Sequence, residues 1–304
     1  MKTKINILSI DSGGVRNLIS AYILQKIENE LQKTRNNSQL KIVDIFDTFV
    51  SVGSSSLLSY LYQIPDNQGD FYSAQQVMEH YKAIAATIYN QKWTSYLKLS
   101  NTICSQQQLI QSVRNLFSNL ENVKNSKNNI IPLYNLTKGE IEIVNAVTSD
   151  LTAEDLLNAS LATSPFFKTT KINDTVFCSG EHISANPKYC LEDKIFKKAF
   201  SEYEVINILS VGAGSNTIQS TNNTIKIIAK DCATQFVEQR FLPNQTVNYF
   251  RIDVPTKDFD VFKPLHTNSY IDFSKQNISA MNTAGQLAMG ALDDKEFKKF
   301  IQAL

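Results

Sequence analysis

The chain has 304 residues, 42% of them hydrophobic, enough for one large α/β domain or two small ones. Lys plus Arg total 30 against 29 for Asp plus Glu, and a formal charge of +1 gives no electrostatic case for nucleic acid. Cys104, Cys178, Cys190 and Cys232 are far apart with no C-x-x-C pair, and only 3 histidines accompany them, so no zinc site is expected.

The opening "MKTKINILSID" becomes strand-like too early for a secretory signal peptide. No apolar run of roughly 18 residues is present to span a membrane. The expectation is a cytoplasmic protein, or one exported without a signal peptide, and not a transmembrane one.

Ile5 to Ile10 reads as a buried strand, and two glycines then lead straight into a helical pattern at Val15, Ile19, Tyr22, Ile23, Ile27 and Leu31. "TFVSV" (Thr48–Val52) reads as a second buried strand, and "GSSSLLSYLYQI" resumes helical spacing. Strand, turn and helix thus occur twice within sixty residues, which predicts a mostly parallel sheet covered by helices. From Pro65 to about Asn129 the chain reads as mostly helical, with Tyr81, Tyr89, Trp93 and Tyr96 as its aromatics.

"IIPLYNLTKGEIEIVNAVTS" alternates as a hairpin with Lys138-Gly139 at the turn. "TAEDLLNASLATSPFF" predicts a helix capped by Thr152 and ended by Pro165. "EVINILSVGAGS" and "VNYFRIDV" read as further strands, and "DDKEFKKFIQAL" as the last helix. With no repeat and no Pro/Gly/Ser linker, one domain over 1–304 is expected.

Two turns are candidates for chemistry. "VSVGSSSLL" puts Ser55 at a strand-to-helix turn, two residues after Gly53, as in a nucleophile elbow. The usual G-x-S-x-G has glycine where Leu57 stands, and a serine-rich helix start also reads as an ordinary N-cap. The turn "SGGV" aims backbone N–H groups from Gly13, Gly14 and Val15 at a negative charge, either an oxyanion or a nucleotide phosphate. The phosphate reading lacks G-x-G-x-x-G, a P-loop and a ribose-binding acid.

In their order along the chain, these stations resemble the patatin-like phospholipase family. "DSGGVRN" (Asp11–Asn17) is similar to its D-G-G-G-x-R-G oxyanion loop, which includes Ser12, Gly13, Gly14, Val15 and Arg16. "GSSSL" (Gly53–Leu57) stands for G-x-S-x-G, and "ASLATSPFF" (Ala159–Phe167) for a shortened A-T-S-A-A-P-x-Y/F. "FCSGEHISANP" (Phe177–Pro187) resembles F-x-D-G-G-x-x-x-N-N-P, and "LSVGAG" (Leu209–Gly214) the S-L-G-T-G strand end. The likeness covers roughly residues 4–215. It implies a three-layer α/β/α fold with a mostly parallel central sheet, and a Ser–Asp dyad that hydrolyses lipid esters without metal or dissociable cofactor.

The departures fall at the chemistry. Ser12 and Asn17 replace loop glycines, Leu57 replaces the elbow's second glycine, and Ser179 holds the dyad aspartate's place. A serine hydroxyl cannot take the Ser55 proton near neutral pH. Losing the base costs on the order of 10⁴ to 10⁶ in rate. Glu181 and His182 are the alternative bases on the same turn. Arg16 reads as a partner for a carboxylate or a substrate phosphate.

Three functions are therefore in view. The favoured one is an inactive homologue that binds phospholipid, a membrane surface or a protein. The others are an active lipid esterase with a shifted base, and a nucleotide binder.

Overall fold

Alternation along the first strand decides the architecture. In β1 (Lys2–Ile10), Leu8 and Ile10 face one core while Ile5 and Ile7 face another, and all four are inaccessible to water. A strand buried on both faces belongs inside a parallel sheet with cover on each side. The structure is a computed structural model that describes residues 2–66, 68–90, 102–118, 127–192, 200–214, 245–254 and 271–304.

From β1 the chain passes through a short 3-10 turn (Gly14–Arg16) into α1 (Asn17–Thr34), then α2 (Ile42–Ile45) and β2 (Thr48–Ser51). Next come α3 (Ser54–Gln63), α4 (Ala74–Ile88) and α5 (Gln106–Phe117). The hairpin β3 (Asn128–Asn135) and β4 (Glu140–Asn145) turns where expected, with Gly139 at a φ of +74°. After α6 (Ala153–Ser160) comes a second hairpin, β5 (Thr170–Ile172) and β6 (Thr175–Ser179). The remaining elements are β7 (Tyr203–Val211), β8 (Thr246–Ile252), α7 (Lys275–Gly290) and α8 (Asp294–Ala303).

The strands form one sheet in the order β5-β6-β3-β2-β1-β7-β8, with β4 also paired to β3. From β3 to β8 the neighbours run parallel, and the antiparallel pairings are confined to the hairpins at one side. This is the mostly parallel central sheet that the sequence predicts. Helices α1, α3, α4 and α7 pack on the face of Leu8 and Ile10, forming a core with Phe49, Leu57, Tyr81 and Met281. On the opposite face the described cover is the 3-10 segment Pro187–Glu192 with Cys190 and Phe200.

Local chemistry explains several boundaries. Thr152 caps α6 by accepting from Asp155 N–H, as predicted. The helix nevertheless stops at Ser160, ahead of the predicted end at Pro165, because Ala162 and Thr163 already bond as a tight turn. Glu28, buried on α1, accepts from Ile42 N–H at 3.0 Å and Ala74 N–H at 2.8 Å. One carboxylate thus ties the starts of α2 and α4 to α1. Burial raises its pKa, although both N–H bonds favour the charged form. Trp93, Tyr96, Cys232 and His266 lie outside the described residues.

Candidate active site

The carboxyl ends of β1, β2 and β7 converge where the strand order turns back on itself. In open α/β sheets that is where ligands bind. Three short segments meet there: Asp11–Arg16 after β1, Val52–Ser56 after β2, and Ser179–His182 after β6.

The first segment has three of its donors already engaged. Ser12 N–H donates to Ala185 O at 2.8 Å, while Gly13 N–H and Gly14 N–H donate to Ser54 Oγ at 3.1 and 2.6 Å. Ser54 Oγ in turn donates to Asn17 Oδ1 at 2.6 Å. The Asn17 amide is anchored by donating to Asp11 O at 2.7 Å and Ser20 Oγ at 3.2 Å. Val15 is fully buried in the helix-side core. The turn is thus shaped for an anion, as its glycines suggest, but the oxygen seated on it belongs to Ser54.

Ser55 is elsewhere. Its hydroxyl lies 2.8 Å from Ile10 O and 2.9 Å from Val52 O, and it accepts from Val52 N–H at 2.9 Å. With no exposed surface, it stitches the end of β2 to the end of β1. The structure therefore brings Ser54, and not Ser55, onto the N–H pair. Gly53 has φ +60° and ψ −132°, a backbone shape that glycine adopts without a Cβ penalty. Leu57, in place of the elbow glycine, is 1% exposed and packs into the core.

Ser179 is fully buried, and its Oγ accepts from Glu181 N–H at 3.1 Å, capping the 3-10 turn Gly180–His182. His182 is exposed, and its Nε2 accepts from Ser164 N–H at 3.2 Å. Glu181 is half-buried along its length, with its carboxyl enclosed above Gly53. Its Oε2 accepts from Thr163 Oγ1 at 3.1 Å, and Ser12 bonds it as well. Burial pushes that carboxyl above the usual range, and the two hydroxyl bonds only partly oppose the shift.

Beside the site lies a charged cluster that sequence reasoning missed. Arg251, on β8, donates from Nη2 to Asp11 Oδ2 and Asp253 Oδ2, both at 2.7 Å, and from Nη1 to Ser210 Oγ at 2.7 Å. Burial works against its charge, but the two carboxylates outweigh that and keep the guanidinium protonated. Arg16 is 1% exposed and donates to Gly214 O at 2.8 Å, so it braces the β7 turn and faces no solvent phosphate. Among the described residues no group of three or more His, Cys, Asp or Glu could hold a metal, and no helix is long and apolar enough to cross a membrane.

No family model matches the chain. Patatin-like protein 2 of rice (Oryza sativa subsp. indica) is 26% identical over 266 residues, covering 75% of this chain and 64% of its own length. Patatin-07 of potato (Solanum tuberosum) is 21% identical over 312 residues, covering 93% of this chain and 79% of its own. Among solved structures, VipD from Legionella pneumophila aligns over 100% of this chain and 67% of its own, with 9% identity and a TM-score of 0.40. The chain thus spans just under two thirds of the rice relative's length. In its ordered motifs and in these two relatives, the chain is similar to the patatin-like phospholipase family.

Proposed function

We propose that the chain is a non-hydrolysing member of this family, acting by binding lipid or a protein partner. One observation carries the reading: Ser179 stands at the dyad aspartate's place, fully buried and spent as a cap, so no base is supplied from there. Among the described residues the Ser55 hydroxyl has only backbone groups as hydrogen-bond partners, and an alcohol held in that way gains no nucleophilicity. The alternative, an esterase with a shifted base, finds no support in the geometry. Glu181 is bound to Thr163 and Ser12, and His182 to Ser164.

The test is incubation with a fluorogenic acyl ester and mixed phospholipid vesicles, comparing wild type with Ser55→Ala. Equal background rates are expected, and turnover abolished by Ser55→Ala would contradict the reading. Flotation with the same vesicles separates lipid binding, in which protein rises with the vesicles, from a protein-directed role, in which it does not.

A further inference from the structure

We infer that the reacting position of the bend after β2 is Gly53, and that Glu181 and Ser12 fill the space its side chain would occupy. Ser54 then serves as an internal ligand on the N–H pair of the glycine turn. The inference rests on the non-hydrolysing reading above and adds how the site is closed.

A nucleophile elbow places its reactive residue at the strained position between strand and helix. In this chain β2 ends at Ser51, α3 begins at Ser54, and the residue at φ +60° and ψ −132° is Gly53. Ser55 already lies within the helix, with its hydroxyl turned back toward β1 and β2. A Cβ built on Gly53 collides with Glu181 Oε2 and Ser12 Oγ and stands 3.1 Å from Glu181 Cδ.

Both intruding side chains stand where the motifs quoted above carry glycine: Ser12 in D-G-G-G and Glu181 in D-G-G. A side chain missing at the bend is thus matched by two side chains gained around it. The donors an oxyanion would need are occupied as well, since Gly13 N–H and Gly14 N–H already bond Ser54 Oγ. A carboxylate restored at position 179 would therefore find no hydroxyl carried by the bend residue itself.

The test is a double-mutant cycle on thermal stability, using wild type, Gly53→Ala, Glu181→Gly and the double variant. Backbone strain at Gly53 is common to both backgrounds and cancels. The expected result is that Gly53→Ala lowers the melting temperature at least twice as much in wild type as in the Glu181→Gly background. Equal losses would overturn the inference.

If Gly53→Ala yields no folded protein, recovery of folded protein in the double variant supports the inference, and failure of both contradicts it. Ser179→Asp gives a second readout. It is expected to leave ester hydrolysis at background, whereas a gain that Ser55→Ala removes would place the reacting hydroxyl at Ser55. Neither readout uses wild-type turnover, so a failure here is distinct from a failure of the non-hydrolysing reading.

Discussion

Two enclosed carboxyl groups sit just beyond the carboxyl ends of β1 and β6, and the chain treats them in opposite ways. Asp11 faces the Arg251 guanidinium at 2.7 Å, with Asp253 on the same cation. Glu181 has hydroxyl partners, Ser12 and Thr163, and burial favours its neutral form. The first carboxylate fixes backbone geometry through charge. The second behaves as a polar filler, its shape and hydrogen bonds mattering more than its ionisation. A working elbow needs a carboxylate that stays charged beside a hydroxyl. Here the carboxylate that stays charged is committed to an arginine, and the one near the bend is steered toward neutrality.

The comparison is broken most severely at its charged half. Asp11→Asn leaves Arg251 buried with one carboxylate fewer and is expected to cost about 3–5 kcal/mol, measured by urea unfolding. Arg251→Met should cost as much, since it removes the cation that lies between the Asp11 and Asp253 carboxylates.

A smaller loss is expected from Ser54→Ala. It strips the acceptor from two buried N–H groups and should cost about 1–3 kcal/mol in the same measurement. Ser55→Ala should cost less, because it removes the acceptor of a single N–H group. The reverse order would mean that Ser55 does more than stitch two strands together.

The subtlest effect concerns Glu181. Its folded pKa is raised, so its contribution to stability is complete below its unfolded value near 4.5 and is lost as pH rises through the folded value. Glu181→Gln removes that loss. The difference in unfolding free energy between variant and wild type should therefore shift in the variant's favour from about pH 4 to about pH 8. A difference independent of pH would show that Glu181 ionises as freely folded as unfolded.

What the sequence makes legible depends on periodicity. The strands at Ile5–Ile10 and Thr48–Val52 and the hairpin at Lys138-Gly139 announce themselves because apolar alternation and glycine punctuation are local signals. The β5–β6 hairpin went unread, although Asn173-Asp174 between β-branched runs marks it and Asn173 adopts a φ of +53°.

The elbow's register was harder to read. Three consecutive serines after Gly53 allow more than one match to G-x-S, and spacing alone does not choose among them. What discriminates is which residue takes positive φ, and that depends on where the strand stops and the helix starts. Thr163 and Arg251 were invisible as site residues because their roles arise from contacts between distant segments, and neither lies on a recognisable catalytic spacing. Asn17 was legible as a replaced loop glycine but not as the partner of Ser54.

The central claim is that no hydroxyl at this site can become an activated nucleophile. It is tested most directly by treating the wild-type chain with a fluorophosphonate and weighing the intact protein. The account predicts an unchanged mass, with neither Ser54 nor Ser55 modified after digestion. A single adduct on Ser55 that Ser55→Ala eliminates would contradict it.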